Sequence, residues 1–267
     1  MPWSAAVGKG LVDSRLQSVL SDTRVGTEAR ALRRLLLDAV APMWNRAVGC
    51  RVRTRGANNR VVYAHVRRLH KVSITILGEG NSVEFARDAQ VGSCNIVIRG
   101  NGNTISIGSS TLTGVGAAIS GDGNAINIGD GCILLGLGLV CEDDGNGINI
   151  GAATQIHGST ELAAIEGTLI SIGTTCLFSR GIHFRTGDSH SLTDLEGRRI
   201  NPSRDITIGD HVLVGMNVTV LKGSSVPDRS VIGACSVVSG SFDGPHCVIA
   251  GHPARVVREG VDWRVER

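Results

Sequence analysis

One polar stretch gathers the residues best able to do chemistry. Between Arg185 and Arg204 the chain reads Thr-Gly-Asp188-Ser189-His190-Ser191-Leu-Thr-Asp194-Leu-Glu-Gly-Arg-Arg-Ile-Asn201-Pro202-Ser. A neutral imidazole, with an ordinary pKa near 6.5, can take up a proton at physiological pH. His190 is therefore the first candidate for proton transfer, against the plainer reading of a solvated loop histidine. His183, His190 and His211 form the one trio that could converge on zinc, which takes three protein ligands in catalytic sites. Their surroundings do not suit such a site, and no metal is expected. The seven cysteines (50, 94, 132, 141, 176, 235, 247) contain no CxxC pair and read as reduced thiols used as small apolar residues.

The elements that must position this stretch announce themselves by repetition. Asn59, Asn81, Asn103, Asn124 and Asn146 each open a similar segment, and Thr168 stands at the sixth such place. Within the segments an alternating pair recurs, as in Ile105-Ser-Ile107-Gly108 and Ile126-Asn-Ile128-Gly129. A fixed period in this range is the signature of a solenoid. Alternation over a few residues predicts a short strand with one buried face. Glycine on either side permits the corners that a coil must turn, and the Asn amides can bond from coil to coil. After residue 205 the period becomes six: Ile208, Val214, Val220, Val226, Ile232 and Val238 follow one another without a gap. Upstream, Ile172, Phe178 and Phe184 keep the same spacing.

The six-residue repeat resembles that of the left-handed parallel β-helix acyltransferases, in which three hexapeptides make one triangular coil. The longer period of the first half would also suit a right-handed β-helix, and the second half decides the hand. The segment Arg185-Thr-Gly-Asp-Ser-His190-Ser-Leu-Thr-Asp194 is similar to the active-site loop of bacterial sugar and polysaccharide O-acetyltransferases. So are Asp205-Ile-Thr-Ile-Gly-Asp-His211-Val-Leu-Val-Gly215 and Ile249-Ala-Gly-His-Pro253-Ala-Arg255. The resemblance is close over residues 170–262 and looser over 56–170. The expected fold is an all-β solenoid of about eight coils with a short helical N-terminal segment. Its expected parts are a helical segment over 1–50, a β-helix over 51–251 with an active-site loop at 186–204, and a tail over 252–267.

The resemblance implies acetyl transfer from acetyl-CoA to a hydroxyl of a sugar, polysaccharide or related metabolite. His190 would be the general base, assistance typically worth about 10²–10⁴ in rate. Asp188 or Asp194, or a backbone carbonyl, would hold the other ring nitrogen, and Asp188 is the carboxylate paired with it as a catalytic candidate. Coenzyme A would lie along the bare corners at Gly215, Gly233 and Ala234, with its phosphates met by Lys222, Arg255 and Arg258. Two departures loosen this. Leu213 stands where many relatives carry Trp, so an acyl group larger than acetyl stays open, and Gly240 stands where a basic residue is usual, which loosens the coenzyme A contacts. An N-acyltransferase on an amino sugar nucleotide and a non-enzymatic β-solenoid scaffold are the alternatives. The implied partners are a sugar or glycan acceptor and two further copies of the chain, a homotrimer with its sites between subunits.

Composition agrees. Glycine accounts for 36 of 267 residues, about twice the ~7% of an average protein, while aromatics make up 3%. An ordinary aromatic-rich core is thereby excluded, and a mean hydropathy of +0.11 argues against disorder. The net charge of +3 is too mild to argue for nucleic acid. Two short amphipathic helices are expected before residue 50, where Leu32, Leu35, Leu36, Val40 and Met43 alternate with Arg30, Arg33 and Arg34. They read as a cover for one end of the solenoid, with membrane-surface contact the less favoured role. No apolar run approaches ~18 residues, and the first residues lack the pattern of a signal peptide, so a cytoplasmic location is expected.

Overall fold

The computed structural model describes residues 49–63 and 66–266. Among these residues every regular element is a β-strand. The helices expected near the N-terminus fall on residues outside that range.

The strands wind into a three-faced prism of parallel β-structure. The first face runs from Arg51–Arg55 through Ser73–Leu77 and Asn95–Arg99 to Ile182–Arg185, Thr219–Leu221 and Val237–Val238. The second is an eight-stranded sheet from Arg60–Val62 to Ser225–Val226. The third runs from Arg68–His70 to Leu213–Val214, Val231–Ile232 and Cys247–Gly251. The long strands Ile133–Glu142 and Gln155–Ile165 turn the corner between the third and first faces, with a bulge in their pairing between Leu135 and Leu137. Eight strands in the second face correspond to the expected eight coils.

The periodicity and the packing agree residue by residue. Ile105, Ile126, Ile148 and Ile170 stack in register, and all are buried. In the six-residue part Ile208, Val214, Val220, Val226, Ile232 and Val238 are all buried as well. Each aliphatic side chain fills a narrow interior against its equivalents one coil away. Phe178 and Phe184, fully buried, stack with ring centroids 5.8 Å apart in the coil that carries the 186–204 loop. Six of the seven cysteines are buried too. Burial pushes the Cys176 thiol up to about 11.

The asparagines form a continuous ladder. Asn59 Oδ1 accepts from the backbone N–H and Nδ2 of Asn81, and the pattern repeats at Asn103, Asn124 and Asn146, spaced by 22, 22, 21 and 22 residues. Every buried amide is thereby satisfied, which removes the cost of burying it. At the end of the ladder Thr168 N–H donates to Asn146 Oδ1. Coil length then changes: Thr174 N–H reaches Asp210 across 36 residues, and Asp210 N–H reaches Asp228 across 18. The long coil contains the loop; the short one is the hexapeptide coil.

Beyond residue 251 the chain is more ordered than a tail. Ala254–Glu259 returns as an antiparallel strand against Cys247–Gly251. The following residues fold back on the corner between the second and third faces. There Trp263 stacks on His211 at 4.3 Å and its Nε1 donates to His211 O at 2.8 Å.

Candidate active site

The loop leaves the prism where the first face passes to the second, and its base is closed by Thr186. This residue is fully buried. Its Oγ1 accepts from Ile165 N–H at 3.0 Å and pairs with Thr168 Oγ1 at 2.7 Å, while its carbonyl accepts from Arg204 N–H at 2.9 Å. Because Thr168 also ends the Asn ladder, side-chain bonds run from the first coil to the root of the loop.

Inside the loop Asn201 is the organising residue. It is 7% exposed. Its Oδ1 accepts from Leu192 N–H at 2.7 Å, and its Nδ2 donates to His190 O at 2.8 Å and to Asp188 Oδ2 at 2.7 Å. Arg199 and Ser203 both hold Glu166 on the coil below, at 2.8 Å and 2.7 Å. The Arg199 guanidinium, and after it the Ser203 hydroxyl, keep the Glu166 carboxyl below the usual carboxylate range. Asp194 caps a tight turn by accepting from the N–H groups of Glu196 and Arg198.

These contacts place the expected site residues. His190 is exposed; its backbone is fixed and its imidazole makes no hydrogen bond among the described residues. Asp188 does not meet that imidazole. It pairs with Lys222, which also donates to Asn201 O at 3.1 Å. Lys222 first, then Asn201, lowers the Asp188 pKa. Lys222 thus sits under the loop, on a carboxylate, where a phosphate was expected. Asp194 is turned toward Arg198.

Gly215, Gly233 and Ala234 stand at the other end of the first face, where the third face passes into it. A Cβ on Gly215 would lie 2.6 Å from Ala234 N, and one on Gly233 would lie 2.9 Å from Ala250 Cβ. Coil-to-coil packing therefore demands both glycines and leaves that corner bare. Arg255 lines a cavity of about 380 Å³ with Ser239, Gly240, Phe242 and Asp243. Arg258, exposed, lies on the returning strand opposite Val248. His211 is engaged by Trp263 and by Asp262 at 3.6 Å, at a different corner from His190.

Nothing in the spacing singles out Asn201, Thr186 or the Glu166–Arg199 pair. Asn201 stood in the loop as one polar residue among many. Its partners lie on the opposite arm of the loop, 9 to 13 residues upstream, so no spacing rule singles it out.

No family model matches the chain. Among curated proteins, the polysialic acid O-acetyltransferase of Neisseria meningitidis is 33% identical over 107 residues, covering 40% of this chain and 50% of that protein. The polysialic acid O-acetyltransferase of Escherichia coli O1:K1 is 30% identical over 95 residues, covering 35% and 31%. The chain thus spans half or less of these relatives' length. The solved structure of the polysialic acid O-acetyltransferase OatWY matches more fully, with a TM-score of 0.63, 32% identity, and coverage of 81% of this chain and 92% of that one. A second solved acetyltransferase, NeuO, shares the fold at a TM-score of 0.61 and 24% identity, over 82% and 90%. With a solved relative matched over nearly its whole length, and with hexapeptide coils beneath its loop, the chain belongs to the family of hexapeptide-repeat O-acetyltransferases.

Proposed function

We infer that the chain transfers an acetyl group from acetyl-CoA to a hydroxyl of a sugar or polysaccharide, with His190 as general base. The observation that carries this reading is the loop itself. Its backbone is fixed by Asn201 at His190, while the imidazole stays free to meet a hydroxyl. His190 takes the hydroxyl proton as the acceptor oxygen attacks the thioester carbonyl, and passes it to the departing thiolate as the C–S bond breaks. The carbonyl oxygen gains charge in that step, and a backbone N–H at a coil corner would meet it.

The prism is left-handed on this reading, and the working unit is a homotrimer. The loop and the bare corner at Gly215, Gly233 and Ala234 lie at opposite ends of the first face, so a neighbouring copy is needed to bring a bare corner to a loop. Leu192, Leu195 and Ile200 are 58%, 103% and 61% exposed on the loop, an apolar tip suited to such a neighbour. Arg255 and Arg258 are the cations offered to coenzyme A. The reaction belongs in the cytoplasm, where acetyl-CoA is made. No helix among the described residues is long and apolar enough to cross a membrane.

Thiol release from acetyl-CoA, with and without a polysaccharide acceptor, tests the reading. Acceptor-dependent release supports it. Release that ignores every saccharide offered contradicts it.

A further inference from the structure

Seven of the chain's 27 Lys and Arg residues, and none of its 24 Asp and Glu residues, fall between Gly49 and Val72. They are Arg51, Arg53, Arg55, Arg60, Arg67, Arg68 and Lys71. This segment is the first coil among the described residues.

Alternation fixes where three of them stand. Val52 and Thr54 lie over the buried Ile74 and Ile76, so Arg51, Arg53 and Arg55 take the outward positions, over Ser73, Thr75 and Leu77. Two residues of strand span ~6.8 Å, and the three guanidinium-bearing positions repeat along one line at that interval. On the third face Leu69 is buried and Arg68 is exposed. Lys71 occupies the corner between the two faces at φ 53. Arg51 N–H donates to Val72 O at 2.8 Å, next to that corner. The charges therefore form a belt across two adjoining faces.

Arg60 pairs with Glu84 at 2.6 Å. The other six make no side-chain hydrogen bond or ion pair among the described residues. In the sequence, the residues before Gly49 carry Lys9, Arg15, Arg24, Arg30, Arg33, Arg34 and Arg46 against Asp13, Asp22, Glu28 and Asp38. Like charges gathered in one coil repel each other, and a bound polyanion relieves the repulsion.

We propose that this belt binds an acidic polysaccharide and holds the acceptor polymer at a place remote from the loop. The proposal rests on the reading of the chain as a polysaccharide O-acetyltransferase and adds the charge class of the acceptor. Six coil steps separate Arg51–Arg55 from Ile182–Arg185, so the belt lies roughly 30 Å from the loop at ~4.8 Å per coil. A flexible polymer can follow the belt round the corner, whereas a flat bilayer meets one face at a time. Six of the seven cations are Arg, whose planar fork fits sugar carboxylates. Tethering the polymer there raises the effective concentration of its hydroxyls at His190.

The test measures binding of the full chain to oligogalacturonate, a linear carboxylated glycan, with neutral dextran, duplex DNA and phosphatidylserine–phosphatidylcholine vesicles as further arms. The wild type should bind oligogalacturonate, more weakly as salt is added, and should not bind dextran. The Arg51→Ser/Arg53→Ser/Arg55→Ser variant should bind about tenfold more weakly, the sum of three modest exposed ion pairs. Its urea midpoint should be unchanged, and Arg67→Ser/Arg68→Ser serves if the triple variant does not fold. His190→Ala should bind as the wild type does, because docking needs no catalysis. Failure of the enzymatic reading would thus show as absent acetyl transfer with binding intact. A wild type that ignores oligogalacturonate, folded variants that bind it unchanged, or tighter binding to DNA or vesicles would each overturn the belt.

Discussion

Asn201 holds His190 by its backbone: Nδ2 donates to the His190 carbonyl at 2.8 Å. The same amide reaches Asp188 Oδ2 and accepts from Leu192 N–H. One buried side chain therefore sets the conformation on both sides of the candidate base and leaves the imidazole without a hydrogen bond among the described residues. Asn201→Ala should lower kcat/KM by about 10–100-fold, since a small misplacement of a reacting group costs that much. Losing its bonds should cost about 1–3 kcal/mol as well. Steady-state kinetics and urea unfolding read the two effects separately.

Asp188 and Lys222 make the loop's footing sensitive to acid. The folded pKa of Asp188 is depressed, so its pairing contributes above the ordinary value of ~3.9 and is lost as pH falls through the depressed one. Their side chains are 44% and 23% exposed, so solvent weakens the global effect and a local probe is needed. The protection factor at Leu192 N–H, its exchange rate relative to an unprotected amide at the same pH, should hold through the ordinary carboxylate range and fall as pH drops toward the depressed Asp188 value. In Asp188→Asn the exchange should be faster at neutral pH and the acid step should vanish.

The ladder predicts a large cost for a small polar change. Asn124 is 1% exposed and links Asn103 to Asn146. Asn124→Ala strands buried groups on both neighbours, and should destabilise the chain by roughly 2–4 kcal/mol. A denaturant midpoint that matches the wild type would remove the ladder as a source of stability.

Gly215 separates packing from ligand contact. A Cβ there would stand 2.6 Å from Ala234 N, a backbone atom that can yield only if the coil shifts. Gly215→Ala should lower stability by about 1–3 kcal/mol without any ligand present. Calorimetry on the free protein shows whether it does.

Much of this architecture was legible because a solenoid repeats its instructions. Ile126 and Val220 are buried for the reason their spacing states, and each coil touches only the next. The loop was legible as the one break in the period. The partner of Lys222 was not. Its contact with Asp188 spans 34 residues, across the insertion that interrupts the register, so no repeat relates the two. His211 and Trp263 meet across 52 residues, where the chain leaves the repeat and turns back. Asn201 escaped for a similar reason: it bonds the backbone at His190 and Leu192 and the Asp188 carboxylate, partners that no repeat relates to it.

The central claim is that His190 takes the proton from the acceptor hydroxyl. The direct measurement is acetyl transfer to a polysaccharide acceptor by wild type and His190→Ala, with unfolding midpoints recorded for both. A fall of about 10²–10⁴ in kcat with an unchanged midpoint is the predicted result, because the imidazole makes no hydrogen bond or ion pair among the described residues. Full activity in the Ala variant would contradict the account.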